Sequence, residues 1–401
     1  MANRTKLALL VSPAFIAACG QEVNPEWETY FSTSDNKNNI EWLNHVVADN
    51  NSDLILAGSV VVTGADRTQD SLLAKFDQNG NKIWDRTFDL KSNPQASSSD
   101  DSVVDVVTDN NGNIYALGQT IERADGSTQY SSFIIKTNQD GDLIWQQTIS
   151  AARDSFDIEL KDNALFVTGL ETQKLSLDGE VLFSINHSDR NWDVEVDSQG
   201  NIYVAGRSGV SQYNSAGALV WSQATTGSNL SYRVNIELDE YNNAVLLAQS
   251  DQNANKQYIR SYSLFGDSNW SKSITVGGTN ELSGQPGIVV SNNEYWFALS
   301  DSTERTVLSL TVDGAQNWRF EDSQGPIQAM GRLANGNIAI TGAGNSVLLD
   351  GRGNAVGTNS TQYAGTANSG SLVVDGNQMF VGTSVSGAPG GIDIHLAMFE
   401  Q

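Results

Sequence analysis

A glycine followed four residues later by a large aromatic residue recurs along this chain, and this spacing constrains the fold more than any other feature. The glycine and the residue four places on are Gly80 with Trp84, Gly141 with Trp145, Gly179 with Phe183, Gly217 with Trp221, Gly266 with Trp270, Gly314 with Trp318 and Gly353 with Gly357. The gaps between successive second positions, from Trp84 to Gly357, are 61, 38, 38, 49, 48 and 39 residues. Self-similarity of this length in β-rich sequence is typical of a radial array of small sheets.

The repeat is clearest at residues 102–149, where it predicts four short strands at 102–108, 114–118, 132–136 and 143–149. Asn-Gly and Asp-Gly pairs fall between the first and second strands and between the third and fourth. These dipeptides suit the positive φ angles of tight hairpins. Each repeat is therefore predicted to form one antiparallel, four-stranded propeller blade.

The two ends of the chain complement each other. Residues 371–374, 378–381 and 393–399 supply three strands without a fourth, whereas Trp27–Phe31 matches the outer strand at 84–88 but has no blade before it. Pairing the N-terminal strand with the C-terminal blade would close the ring and remove an open edge. The sequence predicts an all-β fold, a single β-propeller of eight four-stranded blades over residues 27–401. Seven blades is the alternative if the weak repeats at 156–187 or 326–362 are misassigned.

The N-terminus has the features of a secretion signal. Residues 1–18 contain Arg4 and Lys6 before an apolar run that is too short to span a bilayer. The segment 16–19, Ile-Ala-Ala-Cys, resembles the lipobox of bacterial lipoproteins and contains the only cysteine, Cys19. That resemblance implies cleavage before Cys19 and acylation of the new N-terminus, which makes residues 1–18 a signal peptide and 19–26 an anchor and short linker. Gly20 favours the outer membrane, and a triacylated Cys19 would hold the protein there firmly.

The charge balance excludes some classes of binding partner. The chain has 47 acidic and 23 basic residues, a net charge of −24. Such a surface repels nucleic acid and anionic lipid, so a phosphate-binding role is not expected. We expect a monomer that is bound to the membrane through Cys19 and contacts an envelope protein.

One face of the predicted ring carries long connections. The turns between the first and second strands and between the third and fourth are short throughout, whereas the insertions on the opposite face fall at 61–70, 91–101, 122–130, 276–286 and 384–392. Long loops on a rigid scaffold commonly carry binding residues. The candidate binding residues there are Asp66, Arg67, Asp100, Asp101, Arg123 and Tyr130.

The predicted first strands, which line the central channel, share a polar position. Aligning them places His45, Asp105, Asp157, Asp193 and Asn235 at the same site in consecutive repeats. Such an arc at the channel mouth could hold a divalent cation or a polar ligand. Alternatively, a carboxylate at a strand start can accept backbone N–H bonds, and recurrence in successive blades favours this structural interpretation. No catalytic residue, metal or cofactor is predicted.

The pattern Asp-x-x-Gly-Asn-Ile-Tyr-Val-Ala-Gly, clearest at 197–206, resembles the bacterial β-propeller repeat family of the SBBP type and the quinoprotein-like repeats. More distantly, the chain resembles the propeller lipoprotein of the outer-membrane β-barrel assembly machine. These resemblances imply a propeller and favour a non-catalytic, lipid-anchored scaffold in the cell envelope that binds a protein or another ligand. The alternatives are an outer-membrane protein assembly factor or a propeller enzyme, either a lyase or a quinoprotein-like dehydrogenase.

Overall fold

The computed structural model describes most of the chain after residue 20. The described residues are 21–33, 40–61, 68–90, 96–124, 126–149, 156–224, 230–250, 256–276, 287–291, 294–301, 303–342, 345–360, 367–388 and 391–400. Cys19 and residues 1–18, the predicted signal peptide, lie outside them. Every regular element in these ranges is a β-strand, so they contain no helix that could cross a membrane.

The strands form eight blades, and the first four follow one another in chain order. Blade 1 contains β3 (Ile40–Ala48), β4 (Leu54–Val61), β5 (Gln69–Phe76) and β6 (Lys82–Phe88). Blade 2 contains β7 (Ser98–Thr108), β8 (Ile114–Ala124), β9 (Ser127–Thr137) and β10 (Leu143–Ile149). Blade 3 contains β11 (Asp157–Lys161), β12 (Ala164–Thr168), β13 (Glu171–Ser176) and β14 (Val181–Asn186). Blade 4 contains β15 (Asn191–Val196), β16 (Ile202–Gly206), β17 (Gly209–Tyr213) and β18 (Leu219–Ala224).

The remaining blades include both ends of the propeller. Blade 5 contains β19 (Leu230–Leu238), β20 (Ala244–Ser250), β21 (Lys256–Tyr262) and β22 (Ser268–Thr275). Blade 6 contains β23 (Gly287–Ser291), β24 (Glu294–Ser300), β25 (Arg305–Thr311) and β26 (Gln316–Asp322). Blade 7 contains β27 (Ile327–Arg332), β28 (Ile338–Gly342), β29 (Asn345–Leu349) and β30 (Ala355–Ser360), with β1 (Gln21–Glu22) added at its outer edge. Blade 8 contains β31 (Ala367–Asp375), β32 (Gln378–Ala388), β33 (Gly391–Glu400) and, as its outer strand, β2 (Trp27–Phe31).

The predicted ring closure is confirmed. Strand β2 pairs antiparallel with β33, in a register that runs from Trp27 opposite Met398 to Phe31 opposite Ile394. The innermost strand of each blade contacts that of the next, and β31 of blade 8 contacts β3 of blade 1. The ring therefore has eight blades, and the weak repeats at 156–187 and 326–362 are complete blades.

The hydrophobic core lies between the blades. The second strand of each blade is buried on both faces because a neighbouring blade covers each side, and this explains near-continuous apolar runs such as Ile202–Gly206. The tight turns are stabilised locally: the Asp109 carboxylate accepts the N–H groups of Asn111 and Asn113 at 2.8 and 2.9 Å. Gly112 supplies the positive φ of 77° that this turn requires.

The repeated tryptophans join neighbouring blades at the rim. Trp84 packs on Gly141 of blade 2, where an added Cβ would lie 2.9 Å from the indole, and its Nε1–H donates to the Gln139 carbonyl at 3.0 Å. The same donation to a turn of the next blade is made by Trp27, Trp145, Trp221, Trp270 and Trp318.

Blade 7 departs from this pattern for a visible reason. Its outer strand has Gly357 where the other repeats have an aromatic residue, and β1 runs parallel to it with Gln21 opposite Gly357. A Cβ at Gly357 would lie 2.7 Å from the Val23 side chain. Val23 packs beside Met379 and Phe399 of blade 8, so the N-terminal segment covers the seam that an aromatic residue covers elsewhere.

Candidate functional site

The predicted polar arc lies on five consecutive innermost strands. His45, Asp105, Asp157, Asp193 and Asn235 occupy equivalent positions on β3, β7, β11, β15 and β19. In β3, β7 and β15 the pairing register shifts just before this position, so each of these strands carries a bulge there. Bulges re-aim side chains next to functional or tightly packed sites.

Three aspartates of the arc join each blade to the next. In each case one carboxylate oxygen accepts the backbone N–H of the residue that follows the equivalent position in the neighbouring blade. The bonds are Ile158 to Asp105 at 3.1 Å, Val194 to Asp157 at 3.0 Å and Ile236 to Asp193 at 2.8 Å. Blade 8 does the same with a hydroxyl, since Ser371 Oγ accepts the Val46 N–H at 3.1 Å. Ser371 was not singled out by the sequence analysis.

His45 and Asp105 form a direct ion-pair contact through Nδ1 and Oδ1. Burial lowers the pKa of His45, but the Asp105 carboxylate outweighs it and the resulting pKa is raised. For Asp105, burial raises the pKa, while the charge and hydrogen bond of His45 more than offset this and leave it lowered. Burial and the charges of Asp193 and Asp105 raise the pKa of Asp157 well above its ordinary value.

A second row of acids accompanies the arc and was missed by the sequence analysis. Glu159, Glu195 and Glu237 lie two residues after Asp157, Asp193 and Asn235, on the same side of their strands. Burial, followed by the charges of Asp193 and Glu159, raises the pKa of Glu237 to about 8. Burial also raises the pKa of Glu159 to about 7, against the opposing effect of Lys161. The periodicity that identified the arc could have identified this row as well.

The three aspartates of the arc therefore act as clamps between blades. Their carboxylate oxygens accept backbone N–H groups, as the structural interpretation predicts, and burial raises the pKa of Asp193 to about 6 despite the opposing bond from Ile236. Among the residues that the structure describes, no three histidine, cysteine, aspartate or glutamate side chains are placed to hold a metal ion.

The candidate binding loops require correction. Asp66 and Arg67 lie outside the described residues. Asp100 and Asp101 belong to β7, Arg123 to β8 and Tyr130 to β9, so these four lie on strands and not in loops. The segments 122–130 and 384–392 were predicted as loops because they are rich in serine, glycine and charged residues. In the structure they are largely strand, forming the ends of the long β8–β9 and β32–β33 hairpins, where polar residues suit strands that extend beyond the packed core.

These four residues differ in exposure and in what they contact. Asp101 is completely buried and accepts the Leu90 N–H at 2.9 Å, so it serves the fold. Arg123 pairs with Asp100 at 2.6 Å across the β7–β8 ladder. Tyr130 is the exposed aromatic of the group, with 45% of its surface accessible.

An apolar surface that the sequence analysis did not identify lies on the outer strands. In blades 2, 3 and 4 the two residues before the aromatic position are aliphatic and 42–59% exposed. We call this set the rim band: Leu143, Ile144, Val181, Leu182, Leu219 and Val220. The equivalent exposed pairs are Ser268 and Asn269 in blade 5 and Gln316 and Asn317 in blade 6. The rim position therefore tolerates polar residues, and packing within the blade does not require aliphatic ones there.

Comparison with known proteins agrees with this architecture. Residues 28–190, from the closing strand through blade 3, match the model of the family described as outer membrane protein assembly factor BamB. The match is to propeller repeats. The quinoprotein-like repeat resemblance inferred from the sequence is thus confirmed for this stretch. No curated protein sequence matches the chain.

Two solved structures share the fold. The Dos1 propeller superposes with a TM-score of 0.64 at 12% identity, covering 94% of this chain and 95% of its own. BamB from Moraxella catarrhalis superposes with a TM-score of 0.55 at 12% identity, covering 92% of this chain and 98% of its own. At such identities the likeness establishes a β-propeller.

Proposed function

We propose that this protein is a non-catalytic, lipid-anchored propeller that acts as a protein-interaction scaffold in the bacterial cell envelope. The observation that carries the proposal is the rim band. Exposure of aliphatic side chains to water is unfavourable and their burial against another chain lowers the free energy, so polar residues are usual on exposed edge strands. Three consecutive blades nevertheless present aliphatic pairs, and blades 5 and 6 show that the fold does not need them.

The channel offers little support for catalysis. His45, which a propeller lyase would require as its base, is paired with Asp105, and the neighbouring aspartates accept backbone N–H groups. A quinoprotein-like dehydrogenase resembling that family would carry a vicinal cysteine pair, whereas the single cysteine here is Cys19. The net charge of −24 argues against nucleic acid as a partner.

The anchor is inferred from the segment at 16–19 and is consistent with the position of β1. Strand β1 runs parallel to β30, and Gln21 lies opposite Gly357, close to where β30 begins after the tight turn at Gly353. A lipid on Cys19 would therefore leave the propeller on the tight-turn side of blade 7. We place the protein at the outer membrane because of Gly20.

A more specific version of the proposal is a role in outer-membrane protein assembly. It is supported by the match of residues 28–190 to the assembly-factor family. The rim band supplies what such a role needs, an exposed apolar surface on strands that can meet incompletely folded chains.

The test is co-purification from solubilised membranes with polar rim variants. Replacing Leu143 by Ser, Ile144 by Asn and Val220 by Asn installs residues that blades 5 and 6 carry at the same positions, so the fold should be unaffected. The matched control is Val356→Asn, which makes the same change at the equivalent, exposed position of β30 in blade 7. A partner retained by the control and lost by the triple variant supports a scaffold, and identification of assembly-machine subunits supports the specific version. A partner bound equally by the wild type, the Val356→Asn control and the triple variant would refute the rim band as the binding surface.

Anchoring is tested separately. Cys19→Ser should move the protein from the membrane fraction to the soluble fraction, and mass spectrometry of the intact wild-type protein should show an acylated residue 19 at the N-terminus. An unmodified Cys19 in membrane preparations would contradict the lipoprotein assignment.

A further inference from the structure

Equivalent positions of the tight turns can be compared between blades, and two such positions in blade 5 have residues of a different type. The turn between the first two strands has Asn51, Asn111, Gln199 and Asn335 at its third position in other blades, but Tyr241 in blade 5. The turn before the outer strand has Asn79, Asp140, Asp178, Ala216, Asp313 or Arg352 before its glycine, but Phe265 in blade 5. Tyr241 is 58% exposed and Phe265 is 78% exposed, so neither aromatic is explained by packing.

The first of these aromatics borders an open pocket. A pocket of about 260 Å³ lies at the seam between blades 5 and 6. Glu240, Tyr241 and Asp239 line it from blade 5, and Val290, Tyr295 and Val312 line it from blade 6. Its wall therefore combines an aromatic ring, aliphatic groups and carboxylates.

The two aromatic turns lie close together on one surface. Both belong to the tight-turn face of blade 5, and the Asn269 side chain, just after the second turn, donates to Asn243 of the first at 3.2 Å. A segment of polypeptide that inserts one side chain beside Tyr241 could also contact Phe265.

The charge around the pocket has one sign. The turns at 239–243, 263–267 and 311–315 carry Asp239, Glu240, Asp267 and Asp313, and they contain no lysine or arginine. Asp239 is engaged by its own turn and by the Tyr295 hydroxyl at 2.6 Å. Glu240 is exposed and accepts a hydrogen bond from the Tyr241 hydroxyl. A negative field beside an aromatic face selects a cation with an apolar stem, because the cation is attracted to both the carboxylate and the ring.

We propose that this pocket binds an arginine or lysine side chain of a basic segment in a partner protein. The side chain's aliphatic stem packs on Val290 and Val312, and its charged end lies beside Tyr241 and Glu240. The site is separate from the rim band, which lies in blades 2 to 4, so failure of one surface leaves the other intact.

The test is fluorescence anisotropy on the detergent-solubilised full chain at physiological salt. The probe is a fluorescein-labelled Gly-Arg-Gly-Arg-Gly-Arg-Gly peptide, and the control peptide has citrulline, which is neutral and nearly the same shape, in place of arginine. We expect the arginine peptide to bind about tenfold more tightly than the citrulline peptide. Equal affinity for the two peptides would overturn the proposal.

Protein variants locate the site without threatening the fold, since Tyr241 and Phe265 are replaced by residues found at the same turn positions in other blades and Glu240 is exposed. Tyr241→Asn, copying Asn111, should weaken binding of the arginine peptide about tenfold, and Glu240→Gln should weaken it about threefold. Phe265→Asn, copying Asn79, should have a smaller effect than Tyr241→Asn because Phe265 does not line the pocket.

Asp140→Asn in blade 2 removes a carboxylate from an equivalent turn and should leave binding within about twofold. An Asp140→Asn effect as large as that of Glu240→Gln would mean general attraction to an acidic surface and would overturn the proposal. Wild-type affinity in Tyr241→Asn would overturn it as well.

Discussion

Neighbouring blades are joined at the rim and at the channel, and the two joints use different physics. At the rim, a tryptophan such as Trp84 buries a large apolar surface on a glycine of the next blade and donates one hydrogen bond. At the channel, an acid such as Asp157 accepts a backbone N–H of the next blade while other acids surround it. Burial of aromatic surface is favourable at any pH. The free-energy cost of burying several carboxylates depends on pH, because it is lower when they are protonated. The rim should therefore supply stability, and the channel should make that stability sensitive to pH.

Removing one rim joint should give the largest effect. Trp84→Ala is expected to lower the free energy of unfolding by about 3–5 kcal/mol, since it deletes a buried indole and leaves a cavity over Gly141. Chemical denaturation followed by circular dichroism measures the change. Ile83→Ser, which alters the exposed neighbour of Trp84, is the matched control and should change stability by less than about 0.5 kcal/mol. Similar losses in the two variants would show that the rim joint is not a main source of stability.

The contribution of the channel joint to stability should be measurable as a dependence of the thermal midpoint on pH. Because the pKa values of Asp193, Glu159 and Glu237 are raised in the fold to about 6, 7 and 8, the folded protein holds protons that the unfolded chain has already released. Their contribution to stability is complete below the unfolded pKa values and is lost as the pH rises through the folded ones. The thermal midpoint should therefore be higher at about pH 5.5 than at about pH 8.5, by roughly 2–4 °C.

The triple variant Glu159→Gln, Glu195→Gln, Glu237→Gln tests the source of that dependence. Its thermal midpoint should change less between the two pH values than that of the wild type, because the amides do not titrate. An unchanged pH profile in the triple variant would show that the dependence arises outside this row of three glutamates.

Features that recur once per blade could be predicted from the sequence, because each repeat shows the same residues at the same spacing. The rim glycines and tryptophans recur once per blade, so they predicted the eight-bladed ring and the closing strand Trp27–Phe31. The arc containing Asp105 and Asp157 also recurs, and its structural interpretation was favoured on that ground. Glu159, Glu195 and Glu237 recur over three blades only, because Val47 and Val107 take the equivalent place in blades 1 and 2, and this shorter run was overlooked.

Other features leave no periodic signal. Strand β1 is two residues long and pairs in parallel, a geometry for which local sequence contains no turn or alternation. Its trace in the sequence is indirect, the missing aromatic at Gly357. The long hairpin around Arg123 and Tyr130 was predicted as a loop because strands that project above a packed ring lose the apolar alternation by which strands are recognised.

In blade 7 a single substitution can replace the contact made by Val23 with the tryptophan contact of the other blades. Gly357→Trp restores the residue type of the other repeats, but its Cβ would overlap Val23, so we expect displacement of β1 and a loss of about 2 kcal/mol. Hydrogen exchange at residues 21–23, read by mass spectrometry, should become faster. Phe183→Trp makes the consensus change in blade 3, where an aromatic already packs on Gly217, and should leave exchange at 21–23 unchanged. Faster exchange in both variants would mean that β1 responds to stability in general and not to the space at Gly357.

The smallest expected effect separates a clamp from a ligand site. Asp157→Ala leaves the Val194 N–H without its acceptor and should cost about 1–2 kcal/mol, whereas Asp157→Asn keeps an acceptor oxygen and removes a charge repelled by Asp105 and Asp193. At about pH 8 the asparagine variant should therefore match or slightly exceed the wild type in thermal midpoint. If Asp157 instead served a cation, millimolar calcium would raise the wild-type midpoint and leave both variants unchanged. The clamp requires that calcium shift none of the three midpoints, because Oδ2 of Asp157 is used to hold blade 4 against blade 3.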